Sequence, residues 1–190
     1  MTGLQTVKRI IVTGAESTGS TTLARALAAE LGCEWVPEYG RDYTAKRDGG
    51  PPAPWRDDEF LLIAEQQIAL ENEAAERSAA GWLVCDTDAL ATVIWQERYM
   101  GRSTPAVRDA AQDQVLPFAR LLTGDEIPFE DDGQRDGAHI RHDMQARFRE
   151  ALDGAEGRGV PWIEVRGSVP ERLSAAMRFI DQILEQSRSS

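Results

Sequence analysis

Eight consecutive residues, Gly14-Ala15-Glu16-Ser17-Thr18-Gly19-Ser20-Thr21, follow the spacing of a phosphate-binding P-loop, G-x-x-x-x-G-K-[ST], with Ser20 standing at the lysine position. Glycines at the two ends of such a loop let the backbone turn tightly, so that successive N–H groups face one concavity. A helix starting there adds the positive end of its dipole. Gly14 to Thr21, with Thr22 behind them, are therefore the candidate site for nucleotide phosphates, and the Thr21 hydroxyl is the candidate ligand of a phosphate-bound Mg²⁺. An ordinary glycine turn is the alternative. The lysine of a P-loop meets the β- and γ-phosphates as a cation, whereas Ser20 can donate a hydrogen bond but no charge. Of the 21 basic residues only Lys8 and Lys46 are lysines. Lys8 precedes the loop along an extended segment, roughly 20 Å from the phosphates at ~3.3 Å per residue, and cannot substitute.

A second candidate is Asp86. Trp82-Leu83-Val84-Cys85-Asp86-Thr87-Asp88 reads as a buried strand ending in acids, the form of a Walker B element that holds Mg²⁺ directly or through water. Asp86 is the metal candidate with Thr21. Asp88 either contacts substrate hydroxyls or caps the next helix.

These groups need a scaffold, and the flanking pattern supplies one. Val7 to Val12 reads as a β-branched strand, and Thr22 to Leu31 as an amphipathic helix ended by Gly32. Cys33 to Val36 suggests a second strand, and Pro37 to Tyr43 a polar, aromatic peptide where that strand ends, which is where open α/β sheets place ligands. The stretch 48–54 is a loop, 56–80 a helix stopped by Gly81, 89–100 and 102–114 further helices, 118–123 a strand, 124–137 a long charged loop, 142–152 a helix and 160–165 a last strand. Val169, Leu173, Met177, Ile180 and Leu184 mark the apolar face of a closing helix. Strands alternating with helices predict an α/β P-loop NTPase fold, a five-stranded parallel sheet with helices on both faces. Residues 1–190 are expected to form one domain, with a lid at about 124–141.

With 32 acidic against 21 basic side chains the net charge is −11, which argues against nucleic acid and anionic membrane as partners. No apolar run has membrane-spanning length and no signal-peptide pattern is seen, so a cytoplasmic protein is expected. Cys33 and Cys85 read as free thiols, and His139 and His142 as loop or helix-start residues without a cysteine cluster to make a zinc site. A small-molecule partner remains, and a homo-oligomer is left open.

Gly14-Ala15-Glu16-Ser17-Thr18-Gly19, Glu38-Tyr39-Gly40-Arg41-Asp42, Asp86-Thr87-Asp88, Tyr99 and Asp131-Asp132-Gly133-Gln134-Arg135 together resemble the ribosylnicotinamide kinase domain of NadR-type proteins, over most of the chain. The resemblance implies a P-loop kinase that uses ATP and Mg²⁺ to phosphorylate the ribose 5′-hydroxyl of a nucleoside, nicotinamide riboside in that family. It makes Glu38 the candidate general base, with a salt bridge to Arg41 as the alternative, and Trp35, Tyr39, Arg41, Asp88 and Tyr99 the candidate substrate residues. Arg135 and Arg141 bracket a loop that resembles the lid of nucleoside kinases, and are the candidates to close over the phosphate and compensate for Ser20; a solvated charged loop is the alternative. Two departures from the family pattern stand out: Ser20 itself, and Pro37 where the family often has an aromatic residue implied to stack on nicotinamide. Trp35, on the same strand face as Pro37, either takes over the stacking or fills the core. The rival to a kinase is a nucleotide-binding or regulatory protein with a degenerate P-loop; a hydrolytic ATPase switch has no partner motif here.

Overall fold

A computed structural model describes residues 7–130 and 137–189. Five parallel strands, β1 (Lys8–Thr13), β2 (Glu34–Val36), β3 (Trp82–Asp86), β4 (Ala119–Thr123) and β5 (Trp162–Val165), form one sheet in the order β2-β3-β1-β4-β5. The helices are α1 (Ser20–Leu31), α2 (Tyr39–Lys46), α3 (Asp57–Arg77), α4 (Ala89–Met100), α5 (Pro105–Asp113), α6 (Arg141–Asp153) and α7 (Val169–Ser189).

Alternation along β1 sets the layers. Ile10 and Val12 pack with Leu23 and Leu27 of α1, Val84 of β3 and Ile180 of α7, whereas Ile11 joins Val36, Leu83, Cys85 and Ala74 of α3 on the opposite face. The central strand is thus apolar on both sides, as a covered parallel sheet requires. Every strand runs the same way, so all five carboxyl ends meet at one edge. β1 lies between β3 and β4, and the chain leaves it toward the site at the point where the winding direction changes.

The expected strands and α-helices are present, with one added α-helix and two short 3-10 turns, Ala138–Ile140 and Ala155–Gly157. Tyr39–Lys46 is a helix, although the sequence suggested only a polar peptide there. α2 buries none of its residues, so it carries no apolar stripe for a periodicity to reveal. Cys33 and Cys85 are free thiols. Among the described residues no helix is long and apolar enough to cross a membrane.

Candidate functional site

The loop from β1 to α1 is shaped by a few special backbone angles. Gly19, the N-cap of α1, has φ +82°, and Ser17 has φ +58°. These left-handed residues turn the chain so that Gly14 to Thr22 all border one cavity of about 780 Å³. Gly14 serves differently: a Cβ there would lie 2.6 Å from both Thr18 Oγ1 and Thr123 Oγ1. The space is taken by a hydroxyl chain, in which Thr18 and Thr123 share a 2.7 Å hydrogen bond and Thr18 donates to the Ala15 carbonyl.

Distant residues hold the loop from behind. Gln145 of α6, fully buried, accepts from the Ala15 N–H and donates to the Thr123 carbonyl at 2.9 Å. Arg172 of α7 donates to the carbonyls of Thr18 and Gly124, and Arg141 of α6 to those of Ser17 and Ile127. Arg98 of α4 pairs with Glu16 at 2.7 Å. The loop is set by side chains that carry no phosphate-binding signature of their own.

At the cavity floor the Thr21 hydroxyl donates to Asp86 Oδ2 at 2.5 Å. Burial pushes the Asp86 carboxyl above its ordinary pKa, against the opposing pull of hydrogen bonds from Thr21 and Ser20 and the charges of Arg41 and Arg25. Thr21 and Asp86 are hard oxygen donors of the kind Mg²⁺ takes, and Mg²⁺ commonly binds one or two protein groups beside phosphate oxygens and water. The pair fits that ion. No cluster of three or more His, Cys, Asp or Glu able to cage a metal occurs among the described residues.

The other end of the cavity is built from side chains. Glu38, the N-cap of α2, lines it without capping its helix through its side chain, beside Gly40, Arg41 and Asp42. Trp55, Phe60 and Tyr99 form an aromatic wall, with ring centroids 4.9 Å (Trp55–Phe60) and 5.4 Å (Trp55–Tyr99) apart. Behind Trp55 the Arg47 guanidinium stacks at 3.8 Å and bonds Glu59 through Nε and an NH₂ group, at 3.0 and 2.9 Å. Gln67 connects this wall to the core: it accepts the Tyr39 N–H at 2.9 Å and donates to Glu71 at 3.2 Å. Burial, reinforced by the charge of Asp88, pushes the Glu71 carboxyl up to about 8, despite Gln67 and the Arg9 guanidinium 3.6 Å away. At neutral pH Glu71 is mostly protonated.

Several expected residues lie elsewhere. Asp88 is buried, caps α4 through the Ala91 N–H and receives two hydrogen bonds from the buried Arg120, at 3.1 and 3.2 Å; it does not line the cavity, which leaves the capping alternative. Arg141 is 7% exposed and holds backbone carbonyls, so the expected phosphate-closing role gives way to anchoring the P-loop. Tyr39 starts α2 outside the cavity lining, its ring 6.2 Å from that of Tyr43. Arg135 falls outside the described residues. Trp35 lines the cavity with Arg25 stacked on it, while Trp55, unmarked in the sequence because it follows a proline-glycine loop, forms the wall with Tyr99.

A family model described as an AAA domain matches residues 9–172. The trifunctional NAD biosynthesis/regulator protein NadR of Salmonella typhimurium is 29% identical over 132 residues, 68% of this chain and 31% of that protein, so the chain spans under a third of this curated relative. Solved structures of a NadR protein, in complex with NR and in complex with NAD and AMP-PNP, superpose with TM-scores of 0.76 and 0.73, at 22% and 21% identity, covering 94% of this chain and 52% and 49% of theirs. Thymidylate kinase from Ehrlichia chaffeensis follows at 0.65, 12% identical, covering 90% of this chain and 97% of its own. At these identities the structural likeness establishes the fold, which is that of P-loop kinases.

Proposed function

Because the chain belongs to the AAA domain family, we propose that it is an ATP-dependent nucleoside kinase whose acceptor is the 5′-hydroxyl of nicotinamide riboside. The observation that carries this reading is the meeting of three parts in one cavity: the phosphate loop, the Thr21–Asp86 pair, and Glu38 beside an aromatic wall. Its volume falls in the range of small-molecule sites. The similarity to NadR, crystallised with NR and with an ATP analogue, supports both ligands.

The phosphates bind the loop N–H groups and the α1 N-terminus. A Mg²⁺ held by Thr21 and Asp86 would neutralise charge on the β- and γ-oxygens. Trp55, Phe60 and Tyr99 pack the base of the riboside, which brings its 5′-hydroxyl toward Glu38. The Glu38 carboxylate takes the hydroxyl proton as the 5′-oxygen bonds to the γ-phosphorus and the bond to the ADP oxygen breaks. Arg41 lines the same end and contributes positive charge there.

A coupled ADP-release assay over a panel of ribosides and deoxyribosides tests the proposal. Nicotinamide riboside is expected to turn over fastest, and turnover of none would overturn the kinase reading. One observation favours a second reading, a nucleotide-binding protein with little catalysis: Ser20 stands at the lysine position, so no lysine enters the loop. Calorimetry then shows AMP-PNP binding without ADP release from ATP, and Ser20→Lys raises turnover.

A further inference from the structure

A γ-phosphate needs a cation beside it while it transfers, and position 20 does not provide one. The arginines around the P-loop do not provide it either: Arg98 is paired with Glu16, Arg141 holds carbonyls of Ser17 and Ile127, and Arg172 holds those of Thr18 and Gly124 together with Glu126. Among the described residues lining the cavity, the cationic ones are Arg25 and Arg41.

Arg25 sits one turn after Thr21 on α1 and so shares its face. Its guanidinium carbon lies 4.5 Å from the centre of the Trp35 ring. Trp35 pairs with Val84 across β2 and β3, and Val84 is two residues before Asp86 on the same sheet face. The ring therefore seats the guanidinium near the Asp86 edge of the cavity, where its field reaches the Asp86 carboxyl. A cation held by a ring face keeps its N–H edges available, and Arg25 makes no hydrogen bond or ion pair with any described residue. Those donors form a planar fork suited to two oxygens of one phosphate.

We propose that Arg25, seated on Trp35 beside the Asp86 edge of the cavity, supplies the charge at the γ-phosphate that a P-loop lysine would bring. The inference rests on the nucleotide-binding reading above. It changes where the charge comes from: a fixed helix and a tryptophan seat present it before any lid closes.

The test is calorimetric titration of the full chain with AMP-PNP and with ADP, each with Mg²⁺. Arg25→Gln is expected to lose about tenfold to a hundredfold in AMP-PNP affinity, the scale of one or two charge-assisted hydrogen bonds, and less than about threefold in ADP affinity. Trp35→Leu, which removes the seat and keeps the charge, is expected to lose part of the same preference. Ser20→Lys introduced into Arg25→Gln is expected to restore it. Equal AMP-PNP affinity in Arg25→Gln and the parent, or an equal loss for both nucleotides, overturns the assignment while the kinase reading stands. A parent chain that binds neither nucleotide overturns both.

Discussion

The two ends of the cavity are built on opposite plans. At the phosphate end, most ligand-facing groups belong to one continuous loop, joined by Asp86 of β3, and side chains from α4, α6 and α7 grip the loop from behind. At the acceptor end, ligand-facing groups are side chains that converge from β2, α2, α3, α4 and the segment before α3. On the kinase reading the difference follows from the ligands. Phosphate oxygens present the same charge in every nucleotide, so backbone N–H groups, a helix dipole and a cation serve them all. An acceptor has to be told from its analogues by shape and ring chemistry, which only side chains supply.

Each plan can be broken separately. The largest effect is expected at the support of the acceptor end. Glu59→Ala strands the Arg47 guanidinium, both partners being at most 3% exposed. Losing one partner of a buried pair costs about 3–5 kcal/mol, so calorimetric melting is expected to show Tm falling by roughly 10 °C. Next comes Asp86→Asn at the phosphate end, with turnover falling about 10²–10³-fold, the scale of lost electrostatic stabilisation, and the Mg²⁺ dependence of nucleotide binding weakened in titrations. Third, Trp55→Ala is expected to raise the KM for the riboside about tenfold while leaving AMP-PNP affinity unchanged; a parallel loss of nucleotide affinity would show that the ends are not separable.

The smallest effect concerns Glu71 beneath the acceptor wall. Its folded pKa of about 8 lies above the ordinary value of 4.5, so between those values the folded chain holds a proton that the unfolded chain has released. Stability contributed by this group is full at low pH and falls as pH rises through that window. From pH 7 to 8 the fall is about 1 kcal/mol. Glu71→Gln is expected to flatten the slope in urea titrations across that range.

The same contrast explains what could be read from the sequence. Gly14 to Thr21 and the Asp86 strand were legible because one short segment carries each pattern, and the sheet because its strands are apolar on both faces. Gln145, Arg172 and Thr123 were not, since a polar residue on a helix or at a strand end looks alike whether it faces water or a P-loop carbonyl. Trp55 was hidden for a related reason: its place opposite Tyr99 depends on how the loop before α3 folds back, which no local period encodes. Asp88 had two readings in sequence, and burial against Arg120 separates them.

The bond from Arg172 to the Thr18 carbonyl spans 154 positions of the chain. During synthesis, then, the P-loop emerges well before the start of α7 that supplies this restraint, and at about 5–20 residues per second the delay is roughly 8–30 s. A nascent chain in that interval carries the whole phosphate motif without this restraint, so the loop takes its finished shape only once α7 has joined it.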